Sequence, residues 1–117
     1  MQSVRVCLKS ALFAAGLILA LHPANAASVE NGKTAYVAHG CWQCHGFEGQ
    51  GSVTTSGGRV IADTQLPADA FAAYVRKPSA AMPPFSTAIL SDADLADIYA
   101  YLQARPKPGK DIPLLKP

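Results

Sequence analysis

The chain has 117 residues, of which 50% are hydrophobic and 15% charged, with nine glycines, nine prolines, three cysteines and a formal charge of +2. That length argues against a multidomain enzyme, and the half-apolar content argues against a disordered tail. The whole-chain figures mislead, because the first residues have the pattern of a removable leader.

Residues 1–9 carry Arg5 and Lys9 and no acid, and residues 10–21 form an uncharged, mostly apolar run. Pro23 follows, then Ala24-Asn25-Ala26, which fits the small-x-small rule for signal cleavage. Twelve residues at about 1.5 Å each fall short of a hydrocarbon core of roughly 30 Å, so a retained membrane anchor fits less well. The expectation is a secretory signal peptide over 1–26, export to the periplasm, and no membrane span after cleavage. Residues 27–117 then hold eight basic and eight acidic side chains, two cysteines, two histidines and one methionine. With no net positive charge and no basic cluster, nucleic acid is a poor partner. Much of the remaining apolar content is alanine, so the core is thin and needs a staple.

The first predicted helix runs from Val29 or Asn31 to His39, with Val29, Gly32 and Tyr36 on one face and Gly40 at its end. Cys41-Trp42-Gln43-Cys44-His45 follows, the attachment signature of a c-type haem. Thiols at this spacing sit about one helical turn apart and can bond both vinyl groups of one porphyrin, while the next residue turns its imidazole to the iron. Three plainer readings compete. A thioredoxin-type redox pair needs a strand and a βαβ pattern around it. A zinc site needs two further ligands, and only His39 and His45 are at hand. A disulfide across two intervening residues closes no useful loop.

Residues 46–66 read as a glycine-punctuated loop, long for a small domain unless it wraps a cofactor. A second helix is predicted over Pro67–Lys77, with Pro67 at its first position, Pro78 as its stop and a stripe of Ala70, Phe71, Tyr74 and Val75. Met82 lies 37 residues beyond His45, in a segment stiffened by Pro78, Pro83 and Pro84. A stiff loop presenting one thioether suits a second axial ligand, and methionine raises the potential of a histidine-ligated haem. The plainer alternative is a methionine filling a core gap. A third helix follows Ser91, which with Asp94 has the form of a capping box. Its Leu95, Ile98, Tyr99 and Leu102 fall at helical spacing, with Arg105 beyond its end. Residues 106–117 form a proline-rich tail that carries Ile112, Leu114 and Leu115.

Across residues 29–103 the chain resembles the class I c-type cytochromes, especially small bacterial monohaem members. Gly32-Lys33-Thr34-Ala35-Tyr36 is similar to that family's first helix, and Asp97-Ile98-Tyr99-Ala100-Tyr101-Leu102 to its last. Met82-Pro83-Pro84-Phe85 is similar to its axial-methionine loop. The resemblance implies an all-α, cytochrome c-like fold over residues 27–105, with three to four short helices around one covalent haem c. It implies that Gly32 and Tyr36 meet Ile98 and Tyr101, and that Cys41, Cys44, His45 and Met82 hold the haem. One departure stands out: the family's Gly-Pro pair, whose proline carbonyl accepts the axial imidazole's N–H, is replaced by Gly57-Gly58-Arg59. Either the Gly58 or the Arg59 carbonyl takes over, or the local wrap differs. Arg59 and Arg76 are candidates to pair with haem propionates, although a solvated side chain explains each equally well.

The resulting expectation is an electron-transfer protein rather than an enzyme, with Trp42 beside the exposed haem edge and other redox proteins as partners. A subunit held in a periplasmic dehydrogenase or oxidase is the alternative, favoured by the neutral charge and the apolar end of the tail. A haem enzyme or gas sensor with an open iron site is the third.

Overall fold

A computed structural model describes residues 26–52 and 57–108. The leader expected over 1–26, all but its last residue, and tail residues 109–117 lie outside the described residues. Four helices occur among the described residues, with no strand: α1 (Val29–Ala38), α2 (Trp42–His45), α3 (Ala68–Arg76) and α4 (Asp92–Gln103). None is long and apolar enough to cross a membrane.

α1 opens on Ser28, whose hydroxyl oxygen accepts the Asn31 N–H at 3.2 Å. The Ser28 N–H donates in turn to the Asp97 carboxylate at 2.6 Å, which ties the start of α1 to the middle of α4. The two helices cross closely because Gly32 has no side chain. A Cβ at Gly32 would overlap the Asp97 carbonyl and lie 2.8 Å from the Tyr101 Cβ. Tyr36, one turn on, meets Tyr101 with ring centroids 5.5 Å apart. The expected contact between the first and last helices is therefore present. Val29, expected on the inward face, is 41% exposed, because the first turn of α1 is anchored by polar bonds and burial begins at Gly32.

α4 is built as its sequence suggests. The Ser91 hydroxyl oxygen accepts the Asp94 N–H at 3.0 Å, and the hydroxyl donates to the Asp94 carboxylate at 2.7 Å. This satisfies one of the donors that a helix leaves open at its start. Its buried side chains are Leu95, Ile98, Tyr101 and Leu102. Tyr99, expected in the buried stripe, is only half-buried and donates its hydroxyl to the Leu66 carbonyl at 2.8 Å. Tyr101 takes the core position instead because it is the residue that faces α1.

α3 is capped by Pro67 and packs on α4 through Phe71 and Val75, with the Phe71 and Tyr99 rings 5.2 Å apart. Pro67 thus stands just before the helix, not at its first position. The expected four-residue stripe narrows to two, since Ala70 and Tyr74 are exposed. A nine-residue helix on one partner buries a single i, i+4 row. The core joins Ala35, Tyr36, Phe71, Val75, Leu90, Leu95, Ile98, Tyr101 and Leu102, with Cys41, Trp42, Ile61, Met82 and Phe85 packed against it.

Candidate haem-attachment site

The Cys-x-x-Cys-His segment is itself helical. Cys41 has helical dihedrals and caps α2, which ends on His45. Cys41 and Cys44 are one turn apart and so share a face. Both are free thiols and half-buried. Burial pushes the Cys41 thiol up to about 11, so it stays neutral at neutral pH.

Two tyrosines from the crossing helices fix the chain just beyond His45. Tyr36 donates its hydroxyl to the Gly46 carbonyl at 2.7 Å, and Tyr101 donates to the Phe47 carbonyl at 2.8 Å. The resemblance to the class I c-type cytochromes marks both residues as helix-contact aromatics. Their hydroxyl roles have no signal in the sequence, because the acceptors are main-chain atoms of a loop. Arg105 stacks over the Tyr101 ring at 5.0 Å and pairs with Glu48 at 2.9 Å, which closes the same corner.

The loop after the motif folds back onto it. The Gly51 N–H donates to the His45 carbonyl at 2.7 Å, and the Ser52 N–H to the Gly58 carbonyl at 3.1 Å. Gly58 lies directly on α2, where a Cβ would overlap the Cys44 carbonyl. This close approach brings the Arg59 carbonyl to 2.8 Å from His45 Nδ1. A carbonyl oxygen only accepts, so Nδ1 carries the hydrogen and Nε2 keeps its lone pair for a metal. Of the two carbonyls proposed to replace the missing proline's, the structure uses that of Arg59. Arg59 acts here through its main chain, and its side chain is exposed.

Met82 is half-buried and packs on the core cluster, as Cys41 and Trp42 do. Arg76, a candidate propionate partner, bonds protein groups among the described residues. Its guanidinium is engaged by the chain that follows Met82 and by Asp92. Trp42 stacks on Phe47 with centroids 4.5 Å apart and planes 10° from parallel. Phe47 is 55% exposed, so this aromatic pair carries the motif's apolar face out to the surface.

The donor set fits a covalent haem: two reduced thiols on one helical face, an adjoining imidazole with Nε2 free, and a thioether on the same apolar cluster. A thioredoxin-type pair would need an adjoining strand, and the described residues contain none. The fold and this motif together define a class I c-type cytochrome. The family described as cytochrome c oxidase, cbb3-type, subunit III matches residues 27–102, and the chain belongs to that family. No curated protein and no solved structure shows a significant match. Cytochromes of this class carry covalently bound haem c and transfer electrons.

Proposed function

We propose that the protein is an exported electron-transfer cytochrome with one haem c, held by thioethers at Cys41 and Cys44 and by His45 and Met82 as axial ligands. The observation that carries this reading is the hydrogen bond between His45 Nδ1 and the Arg59 carbonyl. It selects the tautomer in which Nε2 is a ligand and orients the ring. When bound, the haem supplies one-electron chemistry between ferrous and ferric iron. The chain's own residues hold, orient and shield it. Cys41 and Cys44 fix the porphyrin edge, Tyr36 and Tyr101 brace the turn after His45, and the Cys41–Met82 cluster excludes water from one side. Periplasmic location follows from the leader pattern of residues 1–26.

The family's description as an oxidase subunit favours a second reading, a cytochrome bound permanently within a larger oxidase or dehydrogenase. The balanced charge of residues 27–117 points the same way, because free shuttles exploit strong charge to steer encounters. Size-exclusion of the native protein separates the two: a lone monomer supports the free carrier, and co-elution with a catalytic subunit supports the bound one. The shared claim is tested by co-expression with a haem-attachment system and acid–acetone extraction. Haem should stay with the wild-type polypeptide and be extracted from a Cys41→Ser, Cys44→Ser double variant. Extraction from the wild type would overturn the reading.

A further inference from the structure

Phe85 is gripped at both sides of its own residue. Its N–H donates to the Val75 carbonyl at 3.1 Å, and its carbonyl accepts from Arg76 Nη1 at 2.9 Å. The same Nη1 donates to the Leu90 carbonyl at 2.7 Å, while Nη2 donates to the Asp92 carboxylate at 2.6 Å. Arg76 is the last residue of α3, so one planar guanidinium joins that helix end to three points of the following chain.

Met82 sits inside the loop that these bonds close. The entry to the loop is set by α3, where the Lys77 N–H still donates to the Ala73 carbonyl at 3.0 Å. The exit is set at Phe85. Between Met82 and Phe85 stand only Pro83 and Pro84, whose rings lock φ and leave few soft torsions. The placing of Phe85 is therefore transmitted to Met82 with little slack. The Asp92 partner is 84% exposed, and such pairs contribute little. The two carbonyl contacts are part-buried and charge-assisted, and lysine, with one ammonium, does not reproduce the fork.

Resting on the reading of Met82 as an axial ligand, we infer that Arg76 is the positioning residue for that ligand: it pins the exit of the loop at Phe85 and Leu90 and so slows departure of the thioether from the iron. The guanidinium serves the haem through the methionine loop.

The test uses the ferric holoprotein as wild type, Arg76→Gln, Arg76→Lys and Asp92→Asn. It follows binding of added imidazole by stopped flow, together with the weak far-red absorption of methionine-ligated ferric haem. Imidazole should bind Arg76→Gln faster by about tenfold or more, the scale of one lost charge-assisted bond, with the far-red absorption weakened. Arg76→Lys should fall between Arg76→Gln and wild type, and Asp92→Asn should stay within about twofold of wild type. Wild-type imidazole kinetics in Arg76→Gln would overturn the inference, even where its urea midpoint falls, because the residue would then be structural only. Should Arg76→Gln fail to fold, wild-type kinetics in Arg76→Lys would overturn it equally. A wild type lacking the far-red absorption would instead remove Met82 as ligand, and this inference with it.

Discussion

His45 Nδ1 lies 2.8 Å from the carbonyl oxygen of Arg59, a contact between residues fourteen apart in the chain. The bond uses the main chain of Arg59 and depends on Gly58, which alone lets the loop lie on Cys44. Arg59→Ala should therefore leave stability within about 0.5 kcal/mol of wild type, as for an ordinary surface substitution. Gly58→Ala drives a Cβ into the Cys44 carbonyl and should cost about 1–3 kcal/mol, as overpacking does. It should also shift the His45 ring resonances. Urea unfolding and NMR of the ferrous protein check the pair. The reverse ranking would show that the side chain of Arg59 matters and its carbonyl does not.

The same physics decides the sign at Gly32. Helix propensity alone favours alanine over glycine by about 1 kcal/mol in a helix interior. Here the added Cβ would overlap the Asp97 carbonyl and crowd the Tyr101 Cβ, both fixed by the helix crossing. Gly32→Ala should lower the thermal midpoint, with a net loss of about 1–3 kcal/mol. A raised midpoint would mean that α1 and α4 do not cross at this residue.

Tyr36 and Tyr101 give the fold an alkaline limit. Burial raises both phenols above the ordinary value of 10.0, Tyr36 strongly. The folded state thus keeps a proton that the unfolded chain has given up. Stability is fully present below about pH 10 and is lost as pH rises beyond it. Tyr36→Phe should flatten that alkaline decline. At neutral pH it should cost about 0.5–1.5 kcal/mol, the net worth of one hydrogen bond, because the Gly46 carbonyl then keeps only the Gly49 N–H as donor. Guanidinium unfolding at stepped pH measures both effects. A wild type that gains stability above pH 10 would contradict the sign.

The Cys-x-x-Cys-His motif and the cap at Ser91 were legible because each is a local pattern, whereas the close contact of Gly32 and Tyr36 with α4 was implied by the resemblance to the class I c-type cytochromes. Short-range geometry decides a capping box. What escaped depends on partners distant in the chain. Periodicity alone puts Tyr99 in the buried stripe of α4, and it takes the approach of α1 on Tyr101, which the resemblance implied, to leave Tyr99 half-buried. α2 was hidden because four residues show no period. The acceptor for His45 could be narrowed to Gly58 or Arg59, but a loop without periodicity gives no register. The bonds of Arg76 to the Phe85 and Leu90 carbonyls have no signal in the sequence, because every residue carries a carbonyl.

The ferric spectrum and potential of Met82→Ala beside wild type test most directly the proposed holding of one covalent haem between His45 and Met82. Axial ligands set haem potentials over a span of about 0.8 V, so losing the thioether should lower the potential on the order of 0.1 V. The weak far-red absorption of the ferric wild type should vanish in the variant, while the haem stays covalently attached. An unchanged spectrum and an unchanged potential would contradict the assignment of Met82.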